Sequence, residues 1–358
     1  MTTYLLAGGG TAGHVNPLLA TADGLRERAA DAEILVLGTV EGLESRLVPA
    51  RGYELLTIER LPFPRRPNGT AVRFPLRFSR AVAEVRRIIR QRGVDVVVGF
   101  GGYASAPAYV AARRERVPFV VHEANARPGL ANVFGARAAA RTGVAFPGTR
   151  LARAAVVGMP LRREIVDLDR AALRAEAAEY FGLDAGRPTL LVFGGSLGAK
   201  RLNDAFGAAY ADVLEAGFQL VHIVGQRSEL ADPGVPGYVV RAYEDRMDLA
   251  FALADVVVSR AGAATVSEIS ALGIPAIYVP YAVGNGEQRL NAASAVEAGA
   301  ALLIPDATFT ADAVRTQVVP LLRDGERLDR MREAAASVGS LTGTADLIAL
   351  IDEVAPRA

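Results

Sequence analysis

Cysteine is absent from this 358-residue chain, which excludes disulfides, a thiolate nucleophile, iron–sulfur clusters and cysteine-ligated zinc. Histidine is nearly absent: His14, His122 and His222 are the only three, and none forms an H-x-x-x-H pair that would suggest a metal site. The N-terminus lacks the charged leader of a signal peptide, and no run of about 18 apolar residues escapes charges or glycine breaks. These absences predict a cytosolic chain with no membrane-spanning helix. Lysine occurs once, at Lys200, so the positive charge is almost wholly arginine. A GC-rich coding sequence accounts for that preference, but not for where the charge lies. Residues 1–162 carry 23 Arg against 12 Asp and Glu, whereas residues 163–358 carry 17 Arg and Lys against 27. The halves thus differ in sign, +11 against −10, and this points to different partners for each.

With 51% hydrophobic and 22% charged residues, the chain is globular and long enough for two domains of about 150–180 residues. Short apolar runs alternate with helical stretches. Tyr4–Ala7, Ile34–Leu37, Asp95–Gly99 and Phe119–Val121 read as buried strands, with helices over Pro17–Arg28 and Phe78–Arg92 among the segments between them. A second series comprises Thr189–Phe193, Gln219–Val224, Val239–Arg241, Asp255–Ser259, Ala276–Val279 and Ala301–Ile304. Alternation of this kind predicts an α/β fold with two doubly wound, Rossmann-like parallel-sheet domains. The boundary is expected at 161/162, near Met159-Pro160. A last helix, about Thr344–Val354, would return to the first domain, giving 1–161 plus 342–358 and 162–341.

The chemistry is expected in loops that follow strands. Gly8, Gly10 and Gly13 form G-x-G-x-x-G, where glycine lets backbone approach a ligand and turn into a helix whose N-terminus favours anions. The second strand lacks the terminal acid that a nicotinamide enzyme needs, since Glu41 comes late, and this weakens the oxidoreductase reading. His14 follows at the carboxyl edge of the sheet, where open α/β sheets bind ligands, and is the candidate general base. Gly101-Gly102-Tyr103-Ala104-Ser105 and His122-Glu123-Ala124-Asn125 end two further strands at the same edge. In the second half, Gly194-Gly195-Ser196-Leu197-Gly198 repeats the device without the spacing of a phosphate-binding P-loop. Ser259 to Glu268 runs from a strand through small residues into a helix start suited to a diphosphate. Glu268 reads either as a solvated helical glutamate or as an acceptor for ribose hydroxyls. Gln288 and Asn291, three apart, could offer amides to a sugar. Asp167-Leu168-Asp169 resembles a metal-binding D-x-D triplet, but Asp169 reads as a helix N-cap.

Taken together, GGGTAGHVNP, FGGYASAP, HEANARPG, VVGMPLR, GGSLGAKRLN, SRAGAATVSEISALGIPAIYVP and EQRLNA resemble, in order, the MurG family of N-acetylglucosaminyltransferases. That resemblance implies a GT-B fold with an interdomain cleft. It implies transfer of N-acetylglucosamine from UDP-GlcNAc, bound by the C-terminal domain, to lipid I, an undecaprenyl-diphosphate-linked acceptor bound by the N-terminal one. It further implies that Thr11, Ala12 and Gly13 line the cleft. Asn125, Arg162, Ser196 and Gln288 become donor-site residues, Glu268 the ribose ligand, and Ala263, Ala264, Thr265, Val266 and Ser267 its flank. Ala12 stands where the family usually has glycine, and Ala124 and Leu197 where it often has glutamine. No metal, cofactor or nucleic acid is called for. A UDP-GlcNAc 2-epimerase, another GT-B UDP-sugar transferase, or a non-catalytic nucleotide-sugar sensor is the competing reading. The arginine–phenylalanine stretch Leu61 to Arg80 reads as a loop leading into a short amphipathic helix that docks on an anionic membrane surface at its cytoplasmic face.

Overall fold

A computed structural model describes residues 1–64, 69–195, 198–281 and 286–356. The chain divides into two compact units, Met1–Arg162 with Leu341–Ala358, and Arg163–Ser340.

The first unit holds a seven-stranded sheet: β1 Thr3–Ala7, β2 Glu33–Gly38, β3 Glu54–Thr57, β4 Val96–Gly99, β5 Phe119–Glu123, β6 Arg141–Val144 and β7 Ala154–Val156. Its order is β3-β2-β1-β4-β5-β6-β7, and every pairing is parallel. Its helices are α1 Ala12–Arg28, α2 Glu44–Ala50, α3 Gly69–Arg92, α4 Ser105–Glu115 and α5 Leu130–Ala136. Because both faces are covered, the central strands are apolar throughout rather than alternating. Leu5, Leu35 and Val97 pack toward Val82, Val85 and Ile89 of α3 and Tyr109 of α4, whereas Leu6, Val36 and Val98 pack toward Val15 and Leu18 of α1.

The second unit carries β8 Thr189–Phe193, β9 Gln219–Ile223, β10 Tyr238–Arg241, β11 Val256–Ser259, β12 Ala276–Tyr278 and β13 Ala301–Leu303, in the order β10-β9-β8-β11-β12-β13 and again all parallel. All six were expected from sequence. Its helices are α6 Arg163–Val166, α7 Arg170–Phe181, α8 Lys200–Glu215, α9 Met247–Leu253, α10 Ala263–Ala271, α11 Glu287–Asn291, α12 Ala293–Glu297, α13 Ala311–Ala313, α14 Val319–Leu322 and α15 Gly325–Val338. The last helix, α16 Gly343–Asp352, belongs to the first unit, with Leu347 and Ile351 fully buried in the core beside α1. Gly24 makes room for it: a Cβ there would lie 2.8 Å from both Ile348 Cδ1 and Thr344 Cγ2. Arg28–Asp352 and Arg141–Glu353 ion pairs add to the contact.

One expectation needs correction. Helix α3 begins at Gly69, nine residues before the expected Phe78, and runs through Pro75 for 24 residues. Proline within a helix forfeits one backbone hydrogen bond, and here the loss is offset by packing of Phe74 and Phe78 against the core of the first unit. The stretch Gly325–Asp352 is long and apolar enough by composition to cross a membrane. It is nevertheless two helices, α15 and α16, parted by Gly339–Thr342 and belonging to different units.

Candidate functional site

In an open parallel sheet the ligand crevice lies at the carboxyl edge, where the strand order reverses. In the first unit that point falls between β1 and β4, so the loops Gly8–Thr11 and Phe100–Ala104 face one another. Gly9, Gly10, Gly101 and Gly102 all have positive φ (151°, 90°, 91° and 80°), which L side chains rarely adopt. A Cβ on Gly102 would also overlap the backbone of Gly9. Ser105, fully buried, braces the second loop by accepting from Gly101 N–H (3.0 Å) and donating to the Ala7 carbonyl (2.9 Å).

His14 stands in the first turn of α1, behind the N-cap Thr11. Its Nδ1 lies 3.2 Å from the Gly9 carbonyl and 3.2 Å from Thr11 Oγ1. A carbonyl has no proton to give, so Nδ1 is the protonated nitrogen and Nε2 carries the lone pair. Nε2 faces Gly101, where an added Cβ would stand 3.0 Å away. Thr11 and Ala12 are exposed and Gly13 and His14 half-buried, so the imidazole borders solvent. Gly101→Ala should cost turnover about 10-fold or more, since it crowds Nε2 and strains a positive φ by on the order of 1–3 kcal/mol; a steady-state assay with a melting curve as folding control checks this.

The β5 loop is organised by Glu123, which is almost fully buried. It accepts from Asn125 N–H (2.8 Å), Gly129 N–H (2.9 Å) and Asn132 Nδ2 (3.0 Å), and Tyr109 OH in turn donates to Asn132 Oδ1 (2.8 Å). Asn125 is therefore held at the same sheet edge as His14. Arg162, half-buried, ends the first of the two segments that make up the first unit. Sequence reasoning missed Glu44. This carboxylate is fully buried at the start of α2, and it accepts from Gly10 N–H (2.8 Å), Thr39 N–H (2.9 Å) and Thr39 Oγ1 (2.9 Å). Gly9, Gly38 and Gly42 leave it room, since a Cβ on any of them would overlap it. Three glycines around one acidic residue at a helix start were the available signal.

In the second unit the order reverses between β8 and β11. Ser196 lies outside the described residues, but Gly194, Gly195, Gly198, Arg260, Tyr281 and Gln288 border a groove of about 1050 Å³, with Lys200 and Arg201 of α8 on its rim. Arg260 is another residue not singled out from sequence: it donates to the Val279 carbonyl (2.9 Å), pairs with Asp306 and sits 5.5 Å from the Tyr281 ring centre. Gln288 is half-buried and accepts from Tyr281 N–H (2.8 Å). Asn291 does not share its exposure. It is buried and donates to the Ala261 carbonyl (3.2 Å), so it secures the loop before α10 rather than offering an amide to a sugar. Helix α10 has Gly262 as N-cap, with no side chain capping it, so its first N–H groups, which lack intrahelical acceptors, are not taken up by a capping side chain. Ala263 and Val266 are buried, while Ala264, Thr265 and Ser267 are half-buried. Glu268 is 8% exposed, which removes the reading of a solvated helical glutamate. None of residues 263–268 lines the groove. Asp169 is an N-cap, accepting from Ala172 N–H at 3.0 Å, and Asp167 pairs with Arg163. Among the described residues no cluster of three or more His, Asp or Glu could hold a metal ion.

The other two histidines are structural. Burial pushes His122 down to about 4, against a hydrogen bond from its ring to the Gly158 carbonyl, and pushes His222, set between Asn203 and Tyr238, down to about 3. Each folded unit thus keeps one imidazole neutral that the unfolded chain protonates below about pH 6.5. Stability is fully present above that value and falls as pH drops, approaching about 1.4 kcal/mol per pH unit for each domain between about pH 6 and 5. Urea unfolding at these pH values checks it, and a flat profile would contradict it.

Residues 4–144 match the glycosyltransferase family 28 N-terminal domain and residues 189–350 its C-terminal domain. A relative from Clavibacter sepedonicus, named UDP-N-acetylglucosamine--N-acetylmuramyl-(pentapeptide) pyrophosphoryl-undecaprenol N-acetylglucosamine transferase, is 64% identical over 100% of this chain and 98% of its own. The chain belongs to the MurG family. A crystal structure of MurG from Acinetobacter baumannii is 28% identical, covering 99% of this chain and 100% of that one with a TM-score of 0.81. A putative UDP-N-acetylglucosamine 2-epimerase from Listeria monocytogenes superposes with a TM-score of 0.66 over 99% of this chain and 96% of its own, at 14% identity. At that identity the likeness is of fold alone. Sequence and domain matches therefore favour the glycosyltransferase over the epimerase, and the GT-B architecture is common to both.

Proposed function

We propose that this protein transfers N-acetylglucosamine from UDP-GlcNAc to the 4-hydroxyl of the MurNAc unit of lipid I, forming lipid II. The observation that carries this reading is the imidazole of His14, held in one tautomer with an unprotonated Nε2 at the switch point of the first sheet. Nε2 takes the acceptor hydroxyl proton as that oxygen attacks the anomeric carbon. The new C–O bond forms as the bond to the β-phosphate oxygen breaks, so configuration inverts and UDP leaves with the electron pair. The uncapped start of α10 is suited to the departing diphosphate, as electrostatic preorganisation in which no covalent intermediate is needed. Glu268 is assigned to the ribose hydroxyls, with residues 263–267 beside it, and Gln288, Asn125, Arg162 and Ser196 to the rest of the donor. Thr11, Ala12 and Gly13 are assigned to the acceptor side, in an acceptor domain of residues 1–161 with 342–358, the remaining residues 162–341 forming the donor domain. Incubation with labelled UDP-GlcNAc and a short-chain lipid I analogue should yield labelled lipid. A protein that instead inverted C2 of UDP-GlcNAc without acceptor would be an epimerase.

The acceptor's polyprenyl chain stays in the bilayer, so the first unit is assigned to the cytoplasmic membrane surface. The supporting face is the N-terminal part of α3. Val72 is 81% and Leu76 58% exposed, with Arg73 and Arg80 also exposed. Phe74 and Phe78 are not the inserting groups that the sequence suggested, because they stack 5.7 Å apart and pack on the core, and Arg77 is committed to Glu59 (2.7 Å). Arg65 and Arg66 lie outside the described residues. Val72→Ser with Leu76→Ser should therefore reduce flotation with anionic vesicles about 10-fold, while the fold holds, since both side chains already face water. Equal flotation of variant and unmutated protein at low salt would rule this face out.

A further inference from the structure

The Gly9–Gly10 peptide group is engaged at both ends. Its N–H, on Gly10, donates to Glu44 Oε2 at 2.8 Å, and its carbonyl, on Gly9, accepts from His14 Nδ1 at 3.2 Å. Carboxylate, peptide and imidazole thus form one hydrogen-bonded chain. We propose that Glu44 is a positioning residue for the glycosyl transfer, acting on His14 through this single peptide. The inference rests on the reading of His14 as general base.

The physical basis is polarisation along the chain. A carboxylate accepting the peptide N–H draws its proton outward and raises electron density on the carbonyl oxygen, because hydrogen bonds in series strengthen one another. That oxygen is then a better acceptor for Nδ1–H. It fixes the tautomer that leaves Nε2 unprotonated, and it stabilises the imidazolium that forms when Nε2 takes the acceptor's proton. An acid hydrogen-bonded directly to a catalytic histidine does the same two things; here a peptide is interposed. Glu44 is suited to the task because it is fully buried and fixed at its other oxygen by Thr39 N–H and Oγ1. The glycines confirm how closely the parts are fitted. Gly9 and Gly42 have no Cβ to displace the carboxylate, and Gly102 packs against the same Gly9 backbone from the β4 loop.

The test uses the full chain labelled with ¹⁵N-histidine. In the unmutated protein, neutral His14 should be observed as the Nδ1–H tautomer, its signals identified by their loss in His14→Ala. Glu44→Gln, whose amide cannot accept at both ends, should shift His14 toward Nε2–H. It should also lower turnover about 10–100-fold, the usual cost of losing a partner one step behind a reacting group, with the UDP dissociation constant within about twofold because the hydrogen bonds of Glu44 go to Gly10 and Thr39, neither of them assigned to the donor. Placed on His14→Ala, the same change should cost nothing further. Should Glu44→Gln not fold, Glu44→Asp keeps the charge but is one methylene too short to hold both Thr39 and Gly10, and turnover should fall about 10-fold. An Nε2–H tautomer in the unmutated protein would overturn the proposal. So would turnover within threefold for the folded Glu44 variants, or an undiminished effect of Glu44→Gln on the His14→Ala background. If His14→Ala itself retains turnover, it is the general-base reading that fails; if His14→Ala is inactive while the Glu44 variants are active, only the role of Glu44 fails.

Discussion

His14→Ala is expected to lower turnover by about 10²–10⁴, the usual worth of a positioned general base, while UDP binding stays within error. The size follows from how completely the imidazole is prepared. Nδ1 is held by the Gly9 carbonyl and Thr11 Oγ1, so the ring cannot turn to present its protonated nitrogen without breaking both contacts. Nε2 is kept open because residue 101 has no Cβ. The diphosphate and ribose are assigned to α10 of the other compact unit, so truncating the ring removes proton acceptance and little of the UDP contact. Steady-state kinetics with a soluble acceptor analogue, beside calorimetric titration of UDP, separate the two quantities. Turnover within threefold of the unmutated enzyme would remove His14 from the chemistry. Loss of UDP affinity in step with turnover would instead mean that the histidine binds the donor.

The parts of this protein that were legible in its sequence are those where one physical signal dominates. Central strands such as Leu190–Phe193 and Val256–Ser259 are buried on both faces, so they read as unbroken apolar runs. The unrecognised strands, β3 (ELLT), β6 (RTGV) and β7 (AAV), are three or four residues long, and β3 and β7 lie at the sheet edges. Edge strands bury too little to need an apolar run, and their backbone pairing leaves no trace in the side chains. The first turns of α3 were hidden for a different reason. Gly69 and Pro75 argue locally for a loop, and only packing of Phe74 and Phe78 against the core decides otherwise. His14 was visible because it follows its own glycine loop. Glu44 was not, because it meets that loop only after an intervening strand: Gly38 and Gly42 stand near it in sequence, but nothing local ties them to Gly9 or sets Glu44 apart from the exposed Glu41.

Glu268→Ala is expected to weaken UDP binding by about 1.5–3 kcal/mol, the cost of losing hydrogen bonds to a charged group, which is roughly 10–150-fold in dissociation constant. The helix supplies the reason. An uncapped N-terminus at Gly262 favours a diphosphate, and a carboxylate in the second turn of the same helix stands about one turn further along, where a ribose attached to that diphosphate could reach it. A solvated glutamate at that position would be worth almost nothing to either fold or ligand, but Glu268 is only 8% exposed. A carboxylate that has given up most of its water is compensated by hydrogen-bond donors, and two ribose hydroxyls would donate to it. Glu268→Gln keeps the shape and one acceptor oxygen, so it should lose less affinity than the alanine variant. Calorimetric titration of UDP into all three proteins, with melting curves to register any loss of fold, measures this. An unchanged dissociation constant in a folded Glu268→Ala protein would show that the carboxylate serves the second unit's own packing and that another group holds the ribose.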